Sequence, residues 1–194
     1  MRKGECEKTF KLHILTGNKG KLVEFQTLGL SECVDVVKID VPKVEIQSDD
    51  IRKVVLFSAS QALQHVRMPF FVEDAGLFIK ALNGFPGPYS SYVFKTLGNE
   101  GILKLMKYVE DREALFVSVI ALYVPEYGIK LFEGVTEGFI AHEVKGIHGF
   151  GFDPIFIPKG LSRTYAELTV EEKNRISHRG KAFKAMITWF KQIT

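Results

Sequence analysis

Thr16, Gly17 and Asn18 stand between a short apolar run and a helix-like run that carries Lys19, Gly20 and Lys21. A helix N-terminus offers unpaired backbone N–H groups and the positive end of the helix dipole. Gly17 lets a ligand approach the backbone, and Thr16 and Asn18 supply short polar side chains. Lys21 adds a positive charge one turn into the helix. This chemistry suits a polyphosphate. An ordinary turn capped by Asn18, with its lysines in water, fits these residues at least as well when they are taken alone. Two phosphate motifs are excluded. A P-loop needs Gly-x-x-x-x-Gly-Lys-Ser/Thr, but Gly20-Lys21 is followed by Leu22 and preceded five positions earlier by Leu15. The dinucleotide pattern Gly-x-Gly-x-x-Gly is also absent.

Candidate acids come next. Glu73-Asp74-Ala75-Gly76 follows the apolar Phe70-Phe71-Val72, which reads as a short buried strand ending at the acids. Adjacent acids on a strand project to opposite sides, so one of the two enters a given cleft. There it could hold Mg²⁺ or orient a water. A turn Asp before Gly has the same residues. Glu45 beside Asp74 would complete a hard oxygen site for Mg²⁺; alone it reads as a surface residue. Asp49 and Asp50 are better explained as helix caps.

Gly149-Phe150-Gly151-Phe152-Asp153-Pro154-Ile155-Phe156 alternates glycines with aromatics before an acid. Such a face can stack on a base, and the carboxylate can accept from a ring N–H or fix an Arg. Phe150 is the stacking candidate, and Phe152 and Phe156 read as core. The segment Glu171 to Arg179 is dense in donors. Lys173 could meet phosphate, and His178 and Arg179 could bond base oxygens or fix a carboxylate. A solvated helix face has the same composition.

The elements that must position these residues alternate at first. A strand over 10–15 leads to a helix over 18–28, then a strand over 34–39 and a helix from Asp49 or Asp50 to about His65, set by apolar spacing. After the Gly/Pro-rich loop 83–88, helical patterns cover 89–96 and 99–108. Residues 113–124 and 129–140 read as a hairpin, 146–160 as irregular, and 170–176 and 178–193 as helices, the last capped by Ser177. This is a mixed α/β chain with a long hairpin after a βαβ-like half, and a cleft between the two is the expected ligand site.

The chain has 194 residues, 46% hydrophobic and 25% charged, as in an ordinary globular domain. A net charge of +3 does not argue for nucleic acid. Cys6 and Cys33 match no zinc spacing, and two isolated thiols point to a reducing compartment. Residues 1–9 are charged and show no signal peptide, and no apolar run approaches a membrane span. A cytoplasmic protein is expected.

Together the segments resemble the inosine triphosphatase-like family of non-standard purine NTP pyrophosphatases (XTP/dITP diphosphatases). The matching pieces are Thr16-Gly17-Asn18 with Lys21 and Glu24, Glu73-Asp74-Ala75-Gly76-Leu77, Asn83 to Ser90, Gly149 to Phe156, and Glu172-Lys173-Asn174 with Ser177-His178-Arg179. They occur in family order from residue 12 to the C-terminus. The resemblance implies one domain, with residues 1–9 as an extension. It implies an α/β fold with two lobes around a long mixed sheet and a central cleft, usually in a homodimer. It also implies Mg²⁺-dependent hydrolysis of ITP, dITP or XTP to the monophosphate and pyrophosphate, acting on free nucleotides rather than nucleic acid. Carried over, Thr16, Gly17, Asn18 and Lys21, with Lys19 and Gly20 between them, would hold the triphosphate. Glu45 and Asp74 would bind Mg²⁺, and Asp74 would be the general base. Phe150 would stack on the purine, beside Gly151 and Phe152. Asp153, Lys173, His178 and Arg179 would complete base and phosphate recognition. Ala75 stands where members often have Ser, and Ser91 and Tyr92 stand where many have a basic residue, which leaves Lys95 as a substitute. Two alternatives stay open: a related pyrophosphatase for other modified nucleotides, and a non-catalytic nucleotide-binding module.

Overall fold

The computed structural model describes residues 9–194 of the chain. One mixed sheet organises it. Its strands are β1 (Phe10–Leu15), β2 (Val34–Lys38), β3 (Phe70–Ile79), β4 (Pro86–Gly87), β5 (Glu113–Val124), β6 (Gly128–Ile140) and β7 (Phe156–Pro158). The order is β2-β1-β3-β5-β6-β7, with β4 paired to β3 off this path. Pairing is parallel among β2, β1 and β3 and antiparallel from β3 to β7.

Strand parity sends the apolar side chains to two faces. Leu12, Ile14, Phe71, Ile120 and Leu122 meet helices α1 (Lys19–Ser31) and α6 (His178–Ile193) through Phe25, Leu28, Phe183 and Met186. Leu15, Phe70, Val72, Val119 and Ala121 meet α2 (Ile51–Ala62) through Val55 and Ala59. A third cluster, with Leu77, Ile79, Ile102, Phe152 and Phe156, closes the far end of the sheet beneath α3 (Ser90–Thr96) and α4 (Gly98–Leu105). The helix starts follow their caps. Asn18 accepts from Lys21 N at 3.1 Å, Asp50 from Arg52 N at 2.9 Å, and Ser177 from Gly180 N at 3.0 Å. Helix α5 (Val170–Ile176) opens on a Thr169/Glu172 capping box.

The expected α/β architecture with its long hairpin and central cleft is borne out. Several details differ. Phe70–Ile79 is a ten-residue strand rather than one ending at the acids. Glu73 and Asp74 sit mid-ladder, opposite Ile120 and Val119. Gly76 reads as a turn signal, but it is a close contact: a Cβ there would lie 2.4 Å from the Gly87 carbonyl oxygen of the paired strand β4. Within 146–160 a short 3₁₀ turn, Asp153–Ile155, runs into β7. Cys33 is disulfide-bonded, so the reading of isolated thiols does not hold, and Cys6 lies outside the described residues.

The topology makes the cleft. β1 pairs with β3 only as far as Leu15↔Val72. Beyond that point β1 turns away through Thr16–Asn18 while β3 continues along β5. The gap beside Glu73–Gly76, at the carboxyl end of a parallel strand, is where α/β sheets take ligands.

Candidate active site

The cleft has a volume of about 680 Å³. Its walls bring together Thr16, Gly17, Asn18 and Lys21 from the first turn, Asp74 and Ala75 from β3, and Glu45 from the segment before α2. Phe150, Gly151, Phe152 and Asp153 form another wall, and His178 and Arg179 reach in from the start of α6. Segments more than 160 positions apart in the chain therefore share one space. Lys19, Gly20 and Lys173 do not line it. Lys19 is exposed on the first turn of α1. Gly20 serves Phe150: a Cβ there would lie 2.5 Å from the ring. Lys173 is 2% exposed and lies behind the wall.

Lys21 links the two acids of β3. Its Nζ lies 2.9 Å from Glu73 Oε2 and 3.1 Å from Asp74 Oδ1. Burial works against the ammonium charge, but the two carboxylates outweigh it and hold the Lys21 pKa above its ordinary value. Parity puts Glu73 on the α6 side and Asp74 in the cleft, with 18% of its side chain exposed.

Behind the Phe150 wall lies a buried ionic network. Lys173 Nζ is 2.6 Å from Glu24 Oε1 and 2.5 Å from Asp153 Oδ2. Arg179 pairs with Glu24 through Nη1 and with Glu73 through Nη2 and Nε, both at 3.1 Å from Oε1. Ser118 donates to the same Glu73 oxygen at 2.6 Å. Burial alone would raise the Glu73 and Glu24 carboxyls. Arg179 together with Lys21 and Ser118 at Glu73, and with Lys173 at Glu24, outweighs it, and both lie below the ordinary range. Asp153 goes the other way: burial, with Glu24 nearby, holds it above its usual value despite Lys173.

The network positions Phe150 and His178 at the cleft. Asp153 Oδ2 accepts from Phe150 N at 2.8 Å and fixes the turn that presents the ring. Lys173 Nζ and the Arg179 guanidinium lie 5.1 and 5.4 Å from the centroid of that ring. His178 stacks on Phe116 at 4.6 Å and 8°. Burial first, then Arg179 and Lys173, push its pKa well below 6.5, so the imidazole is neutral at physiological pH. Its Nδ1 is buried without a partner. Phe152 is only 3% exposed and packs edge-on against Phe94, consistent with its core assignment.

Sequence reasoning missed several wall residues: Lys43, Ser90, Phe94 and Phe116. It also gave no function to Glu24. A signal existed there, because Glu24 sits among Phe25 and Leu28 on the buried stripe of α1, where an acid needs a partner. Lys95 does line the cleft.

The chain matches the Ham1 family over residues 12–189. It is 49% identical over 181 residues to the Pyrococcus horikoshii protein named dITP/XTP pyrophosphatase, covering 93% of this chain and 97% of that one. It is 53% identical over 171 residues to the Korarchaeum cryptofilum protein of the same name, covering 88% and 91%. The solved structure of a HAM1 protein from Coxiella burnetii superposes with a TM-score of 0.82 at 32% identity, over 95% of this chain and 100% of that one. The chain belongs to the Ham1 family.

Proposed function

We propose that the protein hydrolyses non-canonical purine nucleoside triphosphates (ITP, dITP and XTP) to the monophosphate and pyrophosphate. The reading is carried by one observation: the Thr16–Lys21 turn, the acid Asp74 and the Phe150/His178/Arg179 wall converge on a single cleft. The names of its relatives, dITP/XTP pyrophosphatase, support the same chemistry.

Thr16, Gly17, Asn18 and Lys21, which line the cleft at the start of α1, hold the triphosphate. Asp74 takes the proton from the water that attacks the α-phosphorus, and pyrophosphate leaves. Lys21 and the backbone N–H groups stabilise charge on the departing oxygens. Phe150 stacks on the purine, with Gly151 and Phe152 shaping its turn. Asp153 and Lys173 hold that wall from behind. Arg179 spends three of its five donors on Glu73 and Glu24, which leaves two for a 6-oxo group. A 6-amino group leaves such donors unpaired, which lets the site reject adenine by orders of magnitude.

The donor set fits Mg²⁺. Glu45 and Asp74 line one cleft, and both offer hard oxygens. Among the described residues no group of three or more His, Cys, Asp or Glu could hold a metal. Mg²⁺ characteristically takes one or two carboxylates together with substrate phosphates and water. When bound, it neutralises phosphate charge and polarises the phosphoryl oxygens.

The enzyme then acts in the cytoplasm on free nucleotides, as a homodimer, without nucleic acid or membrane. Among the described residues no helix is long and apolar enough to cross a membrane. The test is pyrophosphate release from ITP, dITP, XTP, GTP and ATP, with and without Mg²⁺. Turnover confined to the 6-oxo, non-canonical substrates and requiring Mg²⁺ is expected. Equal turnover of ATP would contradict the base assignment, and full activity without Mg²⁺ would contradict the metal assignment.

A further inference from the structure

Lys43 belongs to no motif, yet it faces the same cleft. It stands on the irregular segment between β2 and α2, whose Val44 and Ile46 are 46% and 36% exposed and so only partly packed. Ser58 Oγ ties this segment to α2 by donating to Val44 O at 2.6 Å. Lys43 ties it to β3. Its Nζ donates to the Glu73 carbonyl oxygen at 3.3 Å and pairs with Glu45 Oε1 at 2.5 Å.

Two features set this lysine apart from a surface ion pair. Its side chain is only 15% exposed, whereas that of its partner Glu45 is 52% exposed. It also shares its acceptor with the phosphate lysine: Lys21 Nζ lies 3.5 Å from the same Glu73 oxygen. The two ammonium groups are therefore no farther apart than the sum of those two distances. Each also holds one of the two cleft carboxylates, Lys21 on Asp74 and Lys43 on Glu45. Two cations this close repel each other and are offset here by the carboxylates. A polyphosphate bound between them would supply several negative oxygens within reach of both.

We propose that Lys43 is a second phosphate-binding cation of this cleft. In the unliganded protein it is held by Glu45 and the Glu73 carbonyl, and on binding it exchanges Glu45 for the triphosphate, leaving that carboxylate free for the metal. This inference rests on the reading of the cleft as a nucleoside triphosphate site. Exchange of partners moves a flexible four-carbon stem and leaves the backbone in place.

The test is calorimetric and separates binding from turnover. Parent, Lys43→Gln and Lys43→Arg proteins are titrated with a non-hydrolysable α,β-methylene analogue of ITP in the presence of Mg²⁺, and with IMP. The expected result for Lys43→Gln is about tenfold weaker binding of the triphosphate analogue, equivalent to about 1.4 kcal/mol. IMP affinity should change less than about twofold, because charge on the outer phosphates is what Lys43 meets. Lys43→Arg should bind close to the parent. Unchanged affinity of Lys43→Gln for the analogue would overturn the proposal. So would equal losses for the analogue and IMP, which would mark a structural tether. Thermal melting of the variants confirms that both fold. If the parent itself fails to release pyrophosphate from ITP, the reading of the cleft fails, and that outcome is distinct from any result on Lys43.

Discussion

Lys173 Nζ and Glu24 Oε1 meet at 2.6 Å across 149 positions of the chain, tying α5 to α1 beneath the Phe150 wall. Both side chains are buried, at 3% and 4% exposure. Lys173→Ala would leave Glu24 and Asp153 without their shared cation. Removing one partner of a buried pair costs about 3–5 kcal/mol. The exposed pair Lys159–Glu137 is geometrically similar at 2.7 Å, yet water screens it and Lys159→Ala should cost far less. Urea unfolding of the two variants measures the contrast. Equal costs would show that the network is solvated.

Stability should fall on acidification. Glu73 and Glu24 are held below the ordinary value of 4.5, so the unfolded chain binds more protons than the folded one below that pH. Their contribution is complete above about 4.5 and is lost as pH falls towards the folded values. His178 acts in the same direction below 6.5, because it stays neutral in the fold while the unfolded imidazole charges. Asp153 opposes them, since its raised pKa makes its own contribution decline as pH rises above 3.8. Two depressed carboxyls and a depressed histidine outweigh it. Urea midpoints between about pH 7 and about pH 3.5 should therefore decrease steadily. Glu73→Gln should flatten the part below 4.5, and an unchanged slope would contradict the pairing.

Gly20 and Phe150 should be energetically coupled. Gly20→Ala places a methyl group against the ring and should raise KM for ITP about tenfold by displacing the stacking surface. Phe150→Ala should also raise KM, by the loss of stacking worth about 1–3 kcal/mol. The double variant should be no worse than Phe150→Ala, because the clash has gone. Additive effects in this cycle would show that the contact does not control the ring.

Much of this was legible in the sequence, for physical reasons that differ from place to place. The caps Asn18, Asp50 and Ser177 fix helix starts locally, and each helix begins where its cap places it. The hairpin strands follow from their own apolar runs and a Gly128 turn. β3 was harder, because two acids and Gly76 interrupt its apolar pattern; their cause lies in Lys21, Arg179 and β4, all distant in sequence. The site was legible only where motifs are contiguous. Phe116 looks like any strand residue until His178 stacks on it. Lys43 looks like a solvated lysine until the fold places β3 beside it.

The central claim is that this cleft cleaves a purine triphosphate at the α-phosphorus with Asp74 as base. Rapid-quench turnover of ITP with Mg²⁺ by the parent and by Asp74→Asn tests it directly. The parent should yield IMP and pyrophosphate, and the variant should bind ITP but turn over about 10²–10⁴-fold more slowly. Release of single phosphate by the parent, or turnover by Asp74→Asn near the parent rate, would contradict it.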